Sequence, residues 1–459
     1  MALFGTSGIR GVIGREITPE LAFRLGACLV RRIGWRVVVA RDARTSGLML
    51  ENALAAGVMS AGGNVVRIGI APTPTTALAS RNYGDCGVII TASHNPPEYN
   101  GFKLFNSEGK EAGREEEQRV EREIGVGQEE RGTGEGRRPS AVSRVAKWNE
   151  VGRDEKNRMA LKEHVEKVLA LVDVALIRKK SPKVVVDCGN GAASVIMPYA
   201  LREAGCKVVG VNAEPSGVFA RGVEPNAENL RETAAIVKAV GADLGIAHDG
   251  DADRAIVIDE NGELLGLDAQ LAMMCEEELG KKKGVVVSTI EASMGVKEAI
   301  EKGGGKFAIT KVGSVHVARE MGRLGAVFGG EPCGEYIFAG GVPVPDGILA
   351  GLKFVEMWCR KGSLGKLKSK MKSYPMRRAK FPAKERGKAM QTIAPEVKKA
   401  FKGKFYEEDG VRVDFEGGWL LVRASGTEPI VRITAEAKDE KLLAKAFAKA
   451  EGIVKKYLS

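Results

Sequence analysis

Arg36-Val37-Val38-Val39-Ala40 is a short β-branched run that returns twice in this 459-residue chain, as Lys183-Val184-Val185-Val186-Asp187 and as Gly284-Val285-Val286-Val287-Ser288. Such short apolar runs without alternation read as strands covered on both faces, as in a parallel sheet. The first is followed by a helical pattern over 48–61, the second by one after Gly191. A second strand-like run then comes in every copy: Asn64-Val65-Val66-Arg67-Ile68, Lys207-Val208-Val209-Gly210-Val211 and Lys306-Phe307-Ala308-Ile309-Thr310. Each copy ends on a third run, at 87–90, 243–247 and 325–328, that leads into a polar loop. This recurrence predicts three similar α/β domains with one special loop at the corresponding place in each. In open α/β sheets ligands gather beyond the carboxyl ends of the strands, so the chemistry is expected in those loops.

The last ninety residues read differently. Val411-Arg412-Val413-Asp414-Phe415, Gly417-Gly418 and Trp419-Leu420-Leu421-Val422-Arg423 predict an antiparallel hairpin. A strand at 432–436 and a final helix at 440–457 would complete a small α+β domain. The expected boundaries are 1–150, 151–254, 255–368 and 369–459. A charged, glycine-containing stretch at 111–155 is read as a helix bounded by loops.

Composition narrows the function. At 49.0 kDa the chain is too large for one core. No apolar run approaches the roughly 20 residues that span a bilayer. The N-terminus shows no basic-then-apolar leader, so a cytoplasmic protein with no membrane partner is expected. Seven scattered cysteines contain no C-x-x-C pair, and four histidines are too few for a histidine metal cage. The net charge of +11 raises nucleic acid as a partner. However, Lys and Arg are spread along the chain without a basic tail and aromatics are only 5%, so no nucleic acid is expected. An anionic small substrate fits the same balance through steering.

The loops carry the chemistry. Thr91-Ala92-Ser93-His94-Asn95-Pro96-Pro97-Glu98-Tyr99-Asn100-Gly101-Phe102-Lys103 places a serine just past a buried strand on a proline-stiffened turn. His94 and Lys103 supply a proton acceptor and a cation beside it. Asp249-Gly250-Asp251-Ala252-Asp253-Arg254 spaces three carboxylates by two. In an extended loop they point the same way and can converge on a hard cation such as Mg²⁺. Arg423-Ala424-Ser425-Gly426-Thr427-Glu428-Pro429 offers a guanidinium, two hydroxyls and an open backbone to a phosphate. Glu331-Pro332-Cys333-Gly334-Glu335 offers carboxylates to sugar hydroxyls. In the polar loops around them, Arg10 and Arg44 can contact phosphate or serve as structural ion-pair partners.

These motifs, in this order and over essentially the whole chain, resemble the α-D-phosphohexomutase family. The resemblance implies three α/β domains with mixed sheets and a C-terminal α+β domain around a central cleft. It implies an isomerase that moves a phosphoryl group reversibly between C6 and C1 of a hexose phosphate, through a phosphoserine and a bisphosphorylated sugar. By position, Ser93 would hold the phosphoryl group. Asp249, Asp251 and Asp253 would bind Mg²⁺ with it, and His94, Lys103 and Arg10 would assist. Arg254, Glu331, Cys333 and Glu335 would face the sugar. Arg423, Ser425, Gly426 and Thr427 would hold the phosphate that is not reacting. A hexose 1,6-bisphosphate is the implied activator, and the protein would be a monomer or homo-oligomer. Phe4-Gly5-Thr6-Ser7-Gly8-Ile9-Arg10-Gly11 looks like the opening of glucosamine-type and archaeal members. The expected substrate is therefore glucosamine 6-phosphate, with mannose and glucose phosphates as the alternative. Cys333 stands where a serine is usual, and Glu335 where bacterial-type members have histidine. Both departures bear on the sugar, not on phosphoryl transfer. A non-catalytic sugar-phosphate-binding protein is the reading from another class; it would be expected to lack Ser93 or a metal carboxylate.

Overall fold

The computed structural model describes residues 8–124, 145–425 and 429–458. The chain forms two compact units, Met1–Leu265 with Gly334–Gly365, and Gly266–Cys333 with Lys366–Ser459. The fold is three α/β domains with mixed sheets followed by an α+β domain with an antiparallel sheet. Among the described residues no helix is long and apolar enough to cross a membrane.

The first unit contains a six-stranded sheet in the order Ile9–Val12, Tyr99–Asn106, Cys86–Ile90, Arg36–Arg41, Asn64–Ile70 and Asp154–Lys156. The valine-rich strands pair in parallel, as their unbroken apolar pattern requires. Successive side chains feed two cores: Val37, Val39, Val88 and Ile90 go to one, and Val38, Ala40 and Ile89 to the other. Helices Pro19–Arg32 and Gly47–Ser60 cover the first core and Thr73–Tyr83 the second. Helix Pro19–Arg32 starts where its sequence signals: the Thr18 hydroxyl accepts from Leu21 N at 3.2 Å and proline fills the first turn.

Two strands at one side of this sheet are not expected from the sequence. Tyr99–Asn106 runs antiparallel to Cys86–Ile90, and Ile9–Val12 runs antiparallel to Tyr99–Asn106. The serine loop is therefore a hairpin connection, with Lys103 on its returning strand and Arg10 on the next. Asn100 and Gly101 read as loop formers, but ladder pairing on both sides overrides their low strand preference. The same unit holds a second sheet, in the order Ile256–Ile258, Leu244–Ala247, Lys183–Asp187 and Lys207–Val211. Leu244–Ala247 turns back antiparallel into Ile256–Ile258, which makes the aspartate loop a hairpin connection too.

In the second unit Lys306–Thr310, Val285–Thr289 and Phe328–Glu331 are parallel neighbours. Gly329, Gly330 and Glu331, expected as loop, belong to the last of these strands, because the pairing of Gly329 with Val287 and of Gly330 with Ser288 outweighs the poor strand preference of glycine. The antiparallel sheet runs Met376–Pro382, Ile430–Ala437, Gly418–Ala424, Val411–Phe415 and Lys404–Tyr406. Leu420, Val422, Val431 and Ile433 face the helices Arg386–Ala400 and Glu440–Leu458. Trp419, Leu421 and Arg423 take the opposite face by strand alternation.

Candidate active site

Ser93 stands at φ 50°, a left-handed conformation that costs a non-glycine residue about 1 kcal/mol or more. Arg44 holds it there. All five guanidinium N–H groups are used: Nε donates to Asp42 Oδ2 at 3.0 Å, Nη1 to the carbonyls of Pro96 (2.6 Å) and Tyr99 (3.0 Å), and Nη2 to those of Ser93 (2.8 Å) and Asn95 (2.7 Å). Asp42 also accepts from the Thr91 hydroxyl at 2.7 Å, and Thr91 Oγ1 accepts from Ser93 N at 2.8 Å. Of the two roles open to Arg44, the structural one is therefore filled.

The strained serine points at the aspartate loop. Ser93 Oγ donates to Asp249 Oδ2 at 2.7 Å and lies 3.3 Å from His94 Nδ1. Gly250 permits this approach, since a Cβ there would lie 2.6 Å from the Ser93 carbonyl oxygen. The three carboxylates converge, with one oxygen of each within 4.8 Å of the others and all three residues buried. They do so through a turn with Ala252 at φ 55° rather than through an extended segment.

Several groups fix this turn. Lys103 Nζ bridges Asp251 Oδ2 (2.8 Å) and Asp253 Oδ2 (2.7 Å). The Thr73 hydroxyl donates to Asp251 Oδ2 at 2.6 Å and Thr73 N to the Asp251 carbonyl at 2.9 Å. Gly347 packs on the loop backbone so closely that a Cβ would lie 2.5 Å from the Arg254 carbonyl oxygen. Next to it, Asp346 accepts from Leu349 N at the start of helix Gly347–Lys361 and meets His164 Nε2 at 3.0 Å. His164 Nδ1 lies 2.7 Å from the Thr75 hydroxyl. This buried chain ties together the two helix starts that support the aspartates.

Charge follows from the packing. Burial drives the Asp249 pKa well above the usual carboxylate range, and the charges of Asp253 and Asp251 add to it. Burial and then the Asp251 charge raise Asp253 to about 6. For Asp251 burial also acts upward, but the Lys103 ammonium outweighs it and holds the carboxyl below its usual range. Burial acts downward on Lys103, and Asp251 and Asp253 reverse it, keeping the ammonium charged. His94 is pushed down to about 2 by burial and by the Arg254 and Arg10 charges, so its imidazole is neutral.

The residues fit a small divalent cation. Asp251 Oδ1 and Asp253 Oδ1 are buried without a hydrogen-bond partner, while the other oxygen of each takes Lys103. Two unsatisfied hard oxygens beside Asp249 match the ligands that such ions prefer.

The first unit thus gathers Ser93, His94, Lys103, Asp249, Asp251, Asp253 and Arg254. Arg10 Nη1 donates to Asn95 Oδ1 at 3.3 Å, and its buried Nε has no partner. Arg254 Nε donates to Glu335 Oε1 at 3.2 Å and Nη1 to Glu224 Oε1 at 3.0 Å. The second unit carries Glu331, Cys333, Arg423 and Ser425. Glu331 is buried and accepts from Gly313 N at 3.0 Å. Cys333 is half-buried. Arg423 is buried, donating to Glu291 Oε1 at 2.9 Å and Asp409 Oδ2 at 3.3 Å. Ser425 is buried, and Gly426 and Thr427 lie outside the described residues. Sequence reasoning missed Thr73 and Glu224. Neither lies in one of the motif loops, and their partners Asp251 and Arg254 lie elsewhere in the chain.

Comparison with known proteins gives matches along the whole chain. The four phosphoglucomutase/phosphomannomutase domains match in order: α/β/α domain I at residues 1–131, II at 162–262, III at 268–374 and the C-terminal domain at 377–451. A relative from Methanocella arvoryzae, named "Probable phosphoglucosamine mutase", is 44% identical, the match covering 99% of this chain and 98% of that protein. One of the same name from Methanosarcina acetivorans is 41% identical, with complete coverage of both. A phosphoglucomutase/phosphomannomutase family protein from Burkholderia thailandensis superposes with a TM-score of 0.87 at 27% identity, covering 99% and 97% of the two chains. An Aspergillus fumigatus N-acetylphosphoglucosamine mutase, solved with GlcNAc-6P and magnesium, shares the fold at 18% identity, with a TM-score of 0.62 and coverage of 100% and 96%.

Proposed function

The chain belongs to the phosphoglucomutase/phosphomannomutase family of phosphohexomutases, and on that premise we propose that it interconverts glucosamine 6-phosphate and glucosamine 1-phosphate. It is an isomerase of the intramolecular phosphotransferase class. The observation that carries the residue assignment is Ser93 Oγ, strained and buried, 2.7 Å from a carboxylate of the three-aspartate cluster. The choice of glucosamine rests on the name shared by relatives 41–44% identical over nearly the whole chain.

In this reading Ser93 carries the phosphoryl group and gives it to the free hydroxyl of the sugar phosphate. The O–P bond to Ser93 breaks as the bond to the sugar oxygen forms. The hydroxyl proton leaves, and Ser93 Oγ gains one. His94 is neutral and has Nδ1 3.3 Å from Ser93 Oγ, so it can orient that oxygen by a hydrogen bond without itself keeping a proton. Lys103 keeps its proton and serves as a fixed charge that orients Asp251 and Asp253. Mg²⁺ held by Asp249, Asp251 and Asp253 would offset charge on the transferring phosphoryl oxygens. The bisphosphorylated sugar then reorients, and its other phosphate returns to Ser93, so a hexose 1,6-bisphosphate would prime the unphosphorylated protein. Arg423, Ser425, Gly426 and Thr427 grip the idle phosphate, and Glu331, Cys333, Glu335 and Arg254 meet the sugar. A cytoplasmic location fits a phosphorylated substrate.

The test is a mutase assay with Mg²⁺ and a hexose bisphosphate on glucosamine 6-phosphate, mannose 1-phosphate and glucose 1-phosphate. Highest kcat/KM on glucosamine 6-phosphate supports the assignment. A clear preference for mannose or glucose phosphate replaces the substrate but keeps the chemistry. Binding without turnover would leave a sugar-phosphate-binding protein.

A further inference from the structure

Residues 217–224 belong to none of the motif loops, yet within the first unit they meet both the serine loop's clamp and the aspartate loop. At the serine end, Gly217 at φ 73° packs on residues 43–45 so closely that a Cβ would lie 2.3 Å from the Ala43 carbonyl oxygen. Arg44 Cζ lies over the Phe219 ring, 5.5 Å from its centroid. Phe219 thus covers a face of the guanidinium whose N–H groups hold the Ser93 loop.

At the aspartate end, Arg221 Nη2 donates at 2.7 Å to the carbonyl of His248, the residue before Asp249. Its Nε donates to Asp187 Oδ2 at 2.8 Å and its Nη1 to the Gly222 carbonyl at 2.9 Å. Asp187 is fixed in turn by the Thr233 hydroxyl at 2.5 Å and Gly189 N at 2.8 Å. Val223 is buried where the two loops meet: a Cβ on Gly250 would lie 3.3 Å from Val223 Cγ1 and 2.6 Å from the Ser93 carbonyl oxygen. Glu224 closes the segment, 3.0 Å from Arg254 Nη1 and 3.7 Å from His94 Nε2. The two ends are built alike. Asp42 and Asp187 each stand at the end of a valine-rich strand and hold an arginine that grips a carbonyl of the loop after the third strand. In the second domain that arginine sits on a segment that reaches back to its counterpart.

We propose that residues 217–224 are a strap that sets the spacing of Ser93 Oγ and Asp249, with Phe219 and Arg221 as positioning residues at its two ends. The 2.7 Å contact it guards joins loops of two domains, and a displacement of about 1 Å can cost on the order of a hundredfold in rate. Phe219 and Arg221 act through Arg44 and the His248 peptide, not by touching the sugar phosphate. The inference rests on the phosphohexomutase reading for the reaction that the strap serves.

The test is a double-mutant cycle with Phe219→Ala and Arg221→Lys. Phe219→Tyr, which keeps a ring over Arg44, is the conservative control and should match the wild type. Each of the two single variants should lower kcat about tenfold, with KM for hexose phosphate within about twofold of wild type. Because both residues act through one strap, the double variant should be about as slow as the slower single variant. On metal-stripped protein, Arg221→Lys should raise the Mg²⁺ dissociation constant about tenfold by isothermal titration calorimetry. Losses that multiply to about a hundredfold in the double variant would make these two separate local contacts and overturn the strap. So would wild-type kcat and Mg²⁺ affinity in variants that have lost only unfolding midpoint. A wild-type protein that turns over no hexose phosphate overturns the mutase reading instead, and the Mg²⁺ titration of Arg221→Lys then decides the strap.

Discussion

Replacing Arg44 with lysine should destabilise the protein before it alters substrate recognition. The guanidinium is buried and spends five N–H groups on Asp42 and four backbone carbonyls of the serine loop. An ammonium has three donors on one atom and cannot span that fork, so at least two contacts are lost. A hydrogen bond to a charged group is worth about 1.5–3 kcal/mol, which puts Arg44→Lys at about 3–6 kcal/mol. Arg44→Met should be worse, because it also leaves the buried Asp42 carboxylate without its cation. Urea unfolding monitored by circular dichroism measures the first effect, and steady-state kinetics the second. The expected outcome for Arg44→Lys is a lowered unfolding midpoint and a lowered kcat, as Ser93 loses its held conformation, with KM for hexose phosphate nearly unchanged. Wild-type unfolding combined with a raised KM would refute the reasoning and make Arg44 a substrate-phosphate contact.

Three further outcomes are expected. Lys103→Met strands two buried carboxylates and should cost about 3–5 kcal/mol in metal-free protein, with added Mg²⁺ restoring part of the midpoint; a midpoint indifferent to both changes contradicts the bridge. Glu117 is buried, and burial followed by the Glu111 charge raises its pKa to about 7, above the ordinary 4.5. The stability this contributes is full below pH 4.5 and is lost as pH rises through 7, so Glu117→Gln should stabilise by about 1–3 kcal/mol at pH 8 and by nothing at pH 4; equal effects at both pH values would show no shift. Arg423→Ala should lower kcat/KM roughly ten- to hundredfold on every hexose phosphate alike, and a changed sugar ranking at intact efficiency would remove it from the phosphate grip.

The strands most legible in the sequence were those buried on both faces. Val37 through Ala40 and Val184 through Val186 have one possible environment, a covered parallel sheet. Tyr99–Asn106 was illegible because Asn100, Gly101 and Lys103 carry loop and surface propensities, and only pairing on both edges makes them a strand. The carboxylates and Ser93 were readable from residue type and spacing, since few arrangements other than a metal site need three aspartates beside a strand. The turn that converges them was not, because a left-handed Ala252 is set by Thr73, Lys103 and Gly347 from elsewhere in the chain. Arg44 showed the limit most clearly. Its residue type suits phosphate and carbonyl oxygen equally, and only the count of its hydrogen bonds separates the two.

The central claim is that Ser93 carries the phosphoryl group, and intact-mass spectrometry after incubation with a hexose 1,6-bisphosphate tests it most directly. The account predicts one added phosphoryl group on the wild-type chain, removed by incubation with hexose monophosphate, and none on Ser93→Ala, which should also lose nearly all turnover. A Ser93→Ala protein that still gains the phosphoryl group, or turns over near the wild-type rate, would contradict it.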